Sequence, residues 1–502
     1  MSRRSEYIII EPGDSVAVAL RPYAKGETIT INGAPLTVQE DIPAGHKIAL
    51  KDLVKDEAVI KYGNKIGVVT KDIKQGQWVH THNVKSHIHG NNEYTYNPRK
   101  GQEAVLPVPE GLSFQGYKRE DGLTGTRNYV FIIPTVNCSN GPITCLTEMA
   151  NAKYPKTENF DGFLPLFHPF GCSQTGKDLE YTQKILAGLA QNPNAGGVLI
   201  VSLGCEINSL DVFKPYLGDI NEKRIKFLIL QDHEDEFTAG MELCDELYQY
   251  TASFKREPLP LSELVIGVNC GGSDGFSGLT ANPLVGEITN IITAQNGTVV
   301  MTEVPEMFGA EHILMDRAKD EETFRKIVKL INDYKGYFHR YGEEAAENPT
   351  QGNNAGGLTT LEEKSLGCIK KGGEAPVTDV LAYGERVKTR GFNLLSGPGN
   401  DLVGVTAQIA AGCNLIIFTT GRGTPAGFVV PTIRVASNST LAQKKKNWID
   451  FDAGALLHGV DKEVLTRELL ALVIDVASGV VRTKTEQYNY FEIGILRDGV
   501  TL

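Results

Sequence analysis

The chain has 502 residues, 41% hydrophobic and 22% charged, with 50 basic against 61 acidic side chains and a formal net charge of -11. That length exceeds what one core serves, so about two to four domains are expected. The acidic balance gives no electrostatic footprint for a nucleic acid or an anionic membrane surface, and no apolar run approaches the roughly 20 residues that span a bilayer, so those partners are set aside.

Glycine, at 53 residues, is well above its usual share of roughly 7%, which points to a loop-rich α/β protein with its chemistry in loops. The start, MSRRSEYIII, reads as a first strand rather than a signal peptide, because Glu11 and Asp14 follow and a small-residue cleavage site does not. Residues 1–95 are short β-branched segments between glycine turns, the signature of a small all-β domain. Within it AKGETIT, PAGHKIAL and KQGQWVHT form a weak repeat. Residues 96–117, rich in proline and glycine, read as a linker.

From 118 to 257 apolar runs alternate with segments at helical spacing, the pattern of an α/β domain with buried strands. A second α/β domain follows over 258–502, with strands expected at 264–269, 297–304, 377–382, 391–396, 413–420 and 431–436 and helices near 319–335 and 462–479.

The eight cysteines form no CxxC pair and no dense framework, so reduced thiols and a cytoplasmic location are expected. Cys138, Cys172, Cys205 and Cys270 each end an apolar run, where open α/β sheets place ligands. They are candidate metal ligands against the alternative of small buried hydrophobes, the reading preferred for Cys145, Cys244, Cys368 and Cys413. The local spacings of iron–sulfur proteins are missing, so a cluster is not favoured.

In WVHTHN, His80 and His82 share one face if the strand continues, and two imidazoles on one face can chelate Fe(II), Mn(II) or Zn(II). His46 in the sister repeat converges on the same place, whereas His87 and His89 read as solvated loop. Arg422, in a glycine turn after an apolar run, suits a carboxylate, with an exposed tight turn as the plain alternative. Asp450 and Asp452 lie at strand spacing in what is otherwise a solvated charge run. P-loop, GxGxxG and GxSxG signatures are absent.

Together GHKIAL, VHTHN, GTRNYVFIIPTVNC, FGCSQTG, SLGCEIN, CGGSDGFSGLTANP, TEVPEMFGAEHIL, ENPTQGNNAGGLTTLEEKSLGC, GPGND, FTTGRGTP and KKKNWIDFDAG span essentially the whole chain. In these motifs it resembles the altronate/galactarate dehydratase family. The resemblance implies a SAF-like (β-clip) N-terminal domain, two α/β domains, and a lyase that removes water from D-altronate to give 2-dehydro-3-deoxy-D-gluconate in hexuronate breakdown. It also implies activation by a divalent metal, Fe(II) or Mn(II). The VHTHN element, with His80, His82 and Asn83, favours the altronate branch, while the SHIHG pair departs from its pattern.

For that chemistry Arg422 and a metal would be the electrophiles, with His46 and Asp274 as the acid and base in either order. His80 and His82 would hold the metal with a carboxylate or thiolate, Glu206 first among them, and Ser273, Thr280, Asn282 and Thr424 would orient the polyol. The expected partner is a small sugar acid, and a homo-oligomer is compatible with the sequence. The competing readings are an aldarate (galactarate) dehydratase, which needs a second cationic clamp, and a sugar-acid-binding module, which has no need of so many polar loops.

Overall fold

In the N-terminal domain the repeat proves to be structural and runs to four copies. In each, a buried residue (Tyr23, Ile42, Leu53 or Ile73) is followed by a left-handed residue and then a strand. Gly26, Gly45 and Gly76 fill the left-handed position with φ of +85°, +82° and +85°, and Asp56 fills it in the third copy with φ +68°. The structure is a computed structural model describing residues 6–88, 93–99, 111–344 and 348–499. His89 and residues 100–110 of the expected linker lie outside the described residues, while 113–117, also expected as linker, belong to the strand Ser113–Lys118, which pairs with Glu257–Pro260.

The strands Tyr7–Ile8, Val16–Ala19, Lys47–Ala49 and Trp78–Val79 form one antiparallel sheet in that order. Ala58–Lys61, Asn64–Val69 and Val84–Lys85 form another, and Thr28–Ile31 pairs with Ala34–Thr37.

The middle domain is a four-stranded parallel sheet in the order Gly162–Pro165, Tyr129–Pro134, Ala195–Ser202, Ile225–Ile229. Helices Asn140–Lys153, Gly176–Ala190 and Glu236–Ala252 accompany it. Its two central strands, Tyr129–Pro134 and Ala195–Ser202, are buried at every residue, which is why they read in sequence as continuous apolar runs.

The C-terminal domain has seven parallel strands in the order Val377–Leu381, Gly391–Leu395, Thr298–Met301, Val265–Cys270, Leu415–Thr420, Thr432–Ala436, Phe451–Asp452. The chain lays down Val265–Cys270, sets Thr298–Met301 beside it and Val377–Leu381 at the edge, inserts Gly391–Leu395 between those two, then returns to build outward on the other side from Leu415–Thr420. Order reverses between Val265–Cys270 and Leu415–Thr420, and the crevice at their carboxyl ends is where such a sheet takes a ligand.

The N-terminal domain is clamped onto the C-terminal one. Val59, Ile66 and Val84 share a single apolar core with Leu361 and Leu366 of the helix Leu361–Cys368. Glu363 on that helix, fully buried, accepts from Lys47 Nζ at 2.8 Å and Lys61 Nζ at 2.7 Å. These two ammonium groups outweigh burial and hold its carboxyl down at about 2. Breaking such a buried set by removing one partner costs about 3–5 kcal/mol. Close backbone approach completes the joint: a side chain at Gly275 would lie 2.1 Å from Gly45 O, and one at Gly357, whose φ is +105°, 2.3 Å from the same atom.

Two sequence expectations fail here. The strand ends at Val79, because Asn83 Oδ1 accepts from His80 N at 2.9 Å while its Nδ2 donates to Trp78 O at 2.8 Å, closing a turn. His80 and His82 therefore share no strand face. His87 is half-buried rather than loop-solvated, its backbone N–H donating to Glu362 Oε1 at 2.7 Å. No helix among the described residues is long and apolar enough to cross a membrane.

Candidate active site

At the switch point Asp274 ties its own loop to that of Ser437 and Asn438, and Asn438 Nδ2 also donates to Gly421 O at 2.9 Å, bringing in the loop of Arg422. Asp274 Oδ1 accepts from Ser277 N and Oγ, both at 2.9 Å, and from Ser437 Oγ at 2.8 Å, and its Oδ2 accepts from Asn438 Nδ2 at 3.0 Å. Burial raises its carboxyl, against the hydrogen bonds. A carboxylate engaged in this way is a pin for the crevice, which corrects the expectation that Asp274 is a free acid or base.

The pinned loops present Arg422 and Ser273. Arg422 is exposed and its guanidinium has no partner among the described residues. Ser273 is 4% exposed; its carbonyl accepts from Asn353 Nδ2 at 2.8 Å and its hydroxyl stays uncommitted among the described residues. Thr424 is half-buried beside Arg422, its Oγ1 accepting from Ala426 N at 3.3 Å. Thr280 and Asn282 lie behind the crevice. Thr280 Oγ1 donates to Ser437 O at 2.7 Å, and Asn282 donates to Gly367 O at 2.9 Å and accepts from Thr419 Oγ1 at 2.6 Å. Both brace the loops instead of facing a ligand.

From the N-terminal domain three imidazoles gather around Trp78, with ring centroids 5.2 Å away for His46, 5.1 Å for His80 and 5.3 Å for His82. Burial, then Lys47, pushes His46 down to about 4 and His80 down to about 3, so both are neutral. His46 Nδ1 accepts from Trp78 Nε1 at 3.2 Å, which places its proton on Nε2, 3.4 Å from Ala355 O. With both nitrogens committed, His46 is a positioning residue of the junction and has no lone pair for catalysis. His80 Nδ1 meets Thr359 Oγ1 at 3.0 Å and its Nε2 has no partner among the described residues. His82 is exposed.

Behind the crevice lies a buried charged group. Among the described residues one set of His, Cys, Asp and Glu ligand atoms lies mutually within 4.8 Å, that of Cys270, Glu303, Glu306 and Cys368. Lys371 Nζ reaches Glu303 Oε2 at 2.8 Å, Cys270 Sγ at 2.9 Å and Cys368 Sγ at 3.0 Å, and Lys364 Nζ reaches Glu306 Oε1 at 2.7 Å. Two thiols and two carboxylates fit a borderline divalent ion by kind and number. The Lys371 ammonium serves three of those donors as a cation.

Asp401 borders this group. It opens the helix Asp401–Ala410, and a side chain on Gly271 would fall 2.3 Å from its Oδ2. Its carboxyl makes no hydrogen bond among the described residues. Burial, then the charge of Glu306, pushes it up to about 6. An uncommitted carboxyl tuned into the working pH range at a switch-point loop has the chemistry that proton transfer needs.

Three family models cover the chain in order: an altronate/galactarate dehydratase SAF domain over residues 5–87, a D-galactarate dehydratase/altronate hydrolase second domain over 116–252, and a D-galactarate/altronate dehydratase C-terminal domain over 261–501. The chain is 48% identical over 497 residues to an altronate dehydratase of Bacillus subtilis, covering 99% of both. The chain belongs to the altronate/galactarate dehydratase family. The match to altronate dehydratases over nearly the full chain makes it a hydro-lyase. An Escherichia coli altronate dehydratase is 45% identical over 498 residues, 99% of this chain and 100% of the relative. A galactarate dehydratase (L-threo-forming) of the same organism is 32% identical over 502 residues, 96% and 95% of the two.

The other expected ligands go elsewhere. Glu206 sits at the carboxyl edge of the middle sheet, where its carboxylate accepts from Thr135 Oγ1, Ser202 Oγ, Leu203 N and Gly204 N. It is spent on its own loop and does not join His80 and His82. Cys138, Cys172 and Cys205 occupy that same edge and, with Cys145, are exposed, so the small-buried-hydrophobe reading fails for Cys145. Cys368 is buried but sits among charged groups, a different environment from an apolar core. Asp450 accepts from Arg434 N at 2.8 Å and Lys484 N at 2.9 Å, and Asp452 from Gly454 N at 2.8 Å, so both serve the fold. A cavity of about 640 Å³ near Tyr181, Tyr337 and Arg340 contains neither Arg422 nor Asp401.

Proposed function

We propose that the chain dehydrates D-altronate to 2-dehydro-3-deoxy-D-gluconate at the switch-point crevice, in hexuronate breakdown, with Fe(II) or Mn(II) as activator. The observation that carries the substrate is the near-full-length identity to two altronate dehydratases, 48% and 45%, against 32% to the galactarate enzyme. The crevice agrees with a mono-acid, since Arg422 offers a guanidinium fork for one carboxylate.

Arg422 grips the carboxylate and stabilises the negative charge that gathers there as the C2 proton leaves. Asp401 in its ionised form takes that proton. The C3–O bond then breaks, the proton now on Asp401 passes to the departing hydroxide to give water, and the enol left across C2 and C3 tautomerises to the 2-ketone. Ser273, Thr424 and His80 Nε2 hold the remaining hydroxyls. A divalent ion, when bound, supplies Lewis acidity for the carboxylate and the 2-hydroxyl. Cys270, Glu303, Glu306 and Cys368 would hold it in place of the Lys371 ammonium.

The test is turnover by metal-stripped protein of D-altronate and galactarate side by side, with and without Fe(II) or Mn(II), following the 2-keto-3-deoxy product. Metal-dependent turnover of altronate with little of galactarate is expected. Faster turnover of galactarate would overturn the substrate, and binding of altronate without turnover would leave a binding module.

A further inference from the structure

We propose that Cys138, Cys172 and Cys205 bind an iron–sulfur cluster at the carboxyl edge of the middle domain. This is a second site, in a different domain from the crevice, and it does not rest on the reaction proposed above.

All three thiols are free and exposed, which is unusual for a residue type that is among the most buried. They follow three adjacent parallel strands, Gly162–Pro165, Tyr129–Pro134 and Ala195–Ser202, with that of Cys138 in the middle. The chain order reverses between Tyr129–Pro134 and Ala195–Ser202, so the three loops frame this sheet's own switch point.

Direct bonds hold the loops together. Asn137 N donates to Phe170 O at 2.8 Å, Asn208 N to Gly171 O at 3.2 Å, and Asn208 Nδ2 to Thr135 O at 2.9 Å. Gly171 crosses the neighbouring loop so closely that a Cβ there would lie 2.0 Å from Thr135 O. Cys172 stands between two left-handed residues, Gly171 at φ +96° and Ser173 at φ +58°. The second of these is a strained choice of the kind kept at functional turns. Two long helices, Asn140–Lys153 and Gly176–Ala190, start just after Cys138 and Cys172.

The three thiols are not as close together as a single ion requires. A single zinc or iron ion, with bonds to sulfur of about 2.3 Å, draws its ligands close together. Among the described residues the set mutually within 4.8 Å is the Cys270 group, and the three edge thiols are not in it. A cluster distributes its cysteines over different irons and suits wider spacing. With three cysteines, one cluster position is left to a ligand other than cysteine.

The full-length protein is reconstituted anaerobically with ferrous iron and sulfide, desalted, and assayed for iron, acid-labile sulfide and the visible sulfur-to-iron absorption. Wild type and the exposed control Cys145→Ser should retain equal iron and sulfide. Cys138→Ser, Cys172→Ser and Cys205→Ser should each lose most of both while keeping the wild-type circular dichroism, whereas Cys270→Ser retains the cluster. Iron without sulfide, zinc alone, or a cluster surviving the triple substitution would overturn the proposal. Because turnover is not read, failure here leaves the altronate reading standing, and failure of that reading leaves this one.

Discussion

Asp401→Asn lowers kcat on D-altronate by about 10²–10⁴-fold, the usual contribution of a positioned proton-transfer group, with little change in KM or melting temperature. The carboxyl makes no hydrogen bond among the described residues, so an amide of the same shape leaves no partner stranded. What the substitution removes is the ability to accept a proton.

The pH profile carries the sign. Asp401 is raised to about 6, so its base form is present above that value and is lost as pH falls through it. As the base, Asp401 should make kcat/KM rise with pH through about 6, and Asp401→Asn should flatten that limb. A fall of activity above pH 6 in the wild type would assign Asp401 as the acid instead. An unchanged kcat in Asp401→Asn would remove it from the mechanism.

Lys371→Met destabilises the protein by about 3–5 kcal/mol, the cost of breaking a buried ionic set by removing one partner. Lys371 is fully buried and serves Glu303, Cys270 and Cys368 at 2.8–3.0 Å, so methionine fills the space and leaves those donors without their cation. Adding Glu303→Gln should restore part of the loss, since the uncompensated carboxylate goes with it. The same variant tests the metal assignment: with the ammonium gone, Mn(II) or Fe(II) should raise its melting temperature more than that of the wild type. A melting temperature indifferent to the metal would place the activating ion elsewhere.

Much of this was legible because the relevant signals are local. Buried parallel strands read as apolar runs, so the expected 391–396 and 431–436 appear as Gly391–Leu395 and Thr432–Ala436. Arg422 was legible for a similar reason: a glycine turn directly after such a run must lie at a strand's carboxyl end. The histidines were misread because strand spacing was assumed beyond Val79, where the Asn83 side chain instead closes a turn on His80. Asp401 and the Cys270 group had no local mark. Asp401 is one acid after a glycine turn, and its tuning comes from Glu306, brought near by the crossover that sets strand Thr298–Met301 beside Val265–Cys270. Glu303 and Glu306 sat in a recognised motif, TEVPEMFGAEHIL, yet their meaning depends on Lys364 and Lys371 from a distant helix.

In the proposed reaction the sugar acid is held at the switch-point crevice rather than at the cysteine edge of the middle domain. A structure of the Asp401→Asn protein with D-altronate tests this most directly. The expected complex has the carboxylate in the fork of Arg422, the C2 hydrogen facing residue 401, and hydroxyls on Ser273 and Thr424. Altronate bound instead against Cys138, Cys172 and Cys205, or in the cavity beside Tyr181 and Arg340, with Arg422 untouched, would contradict it.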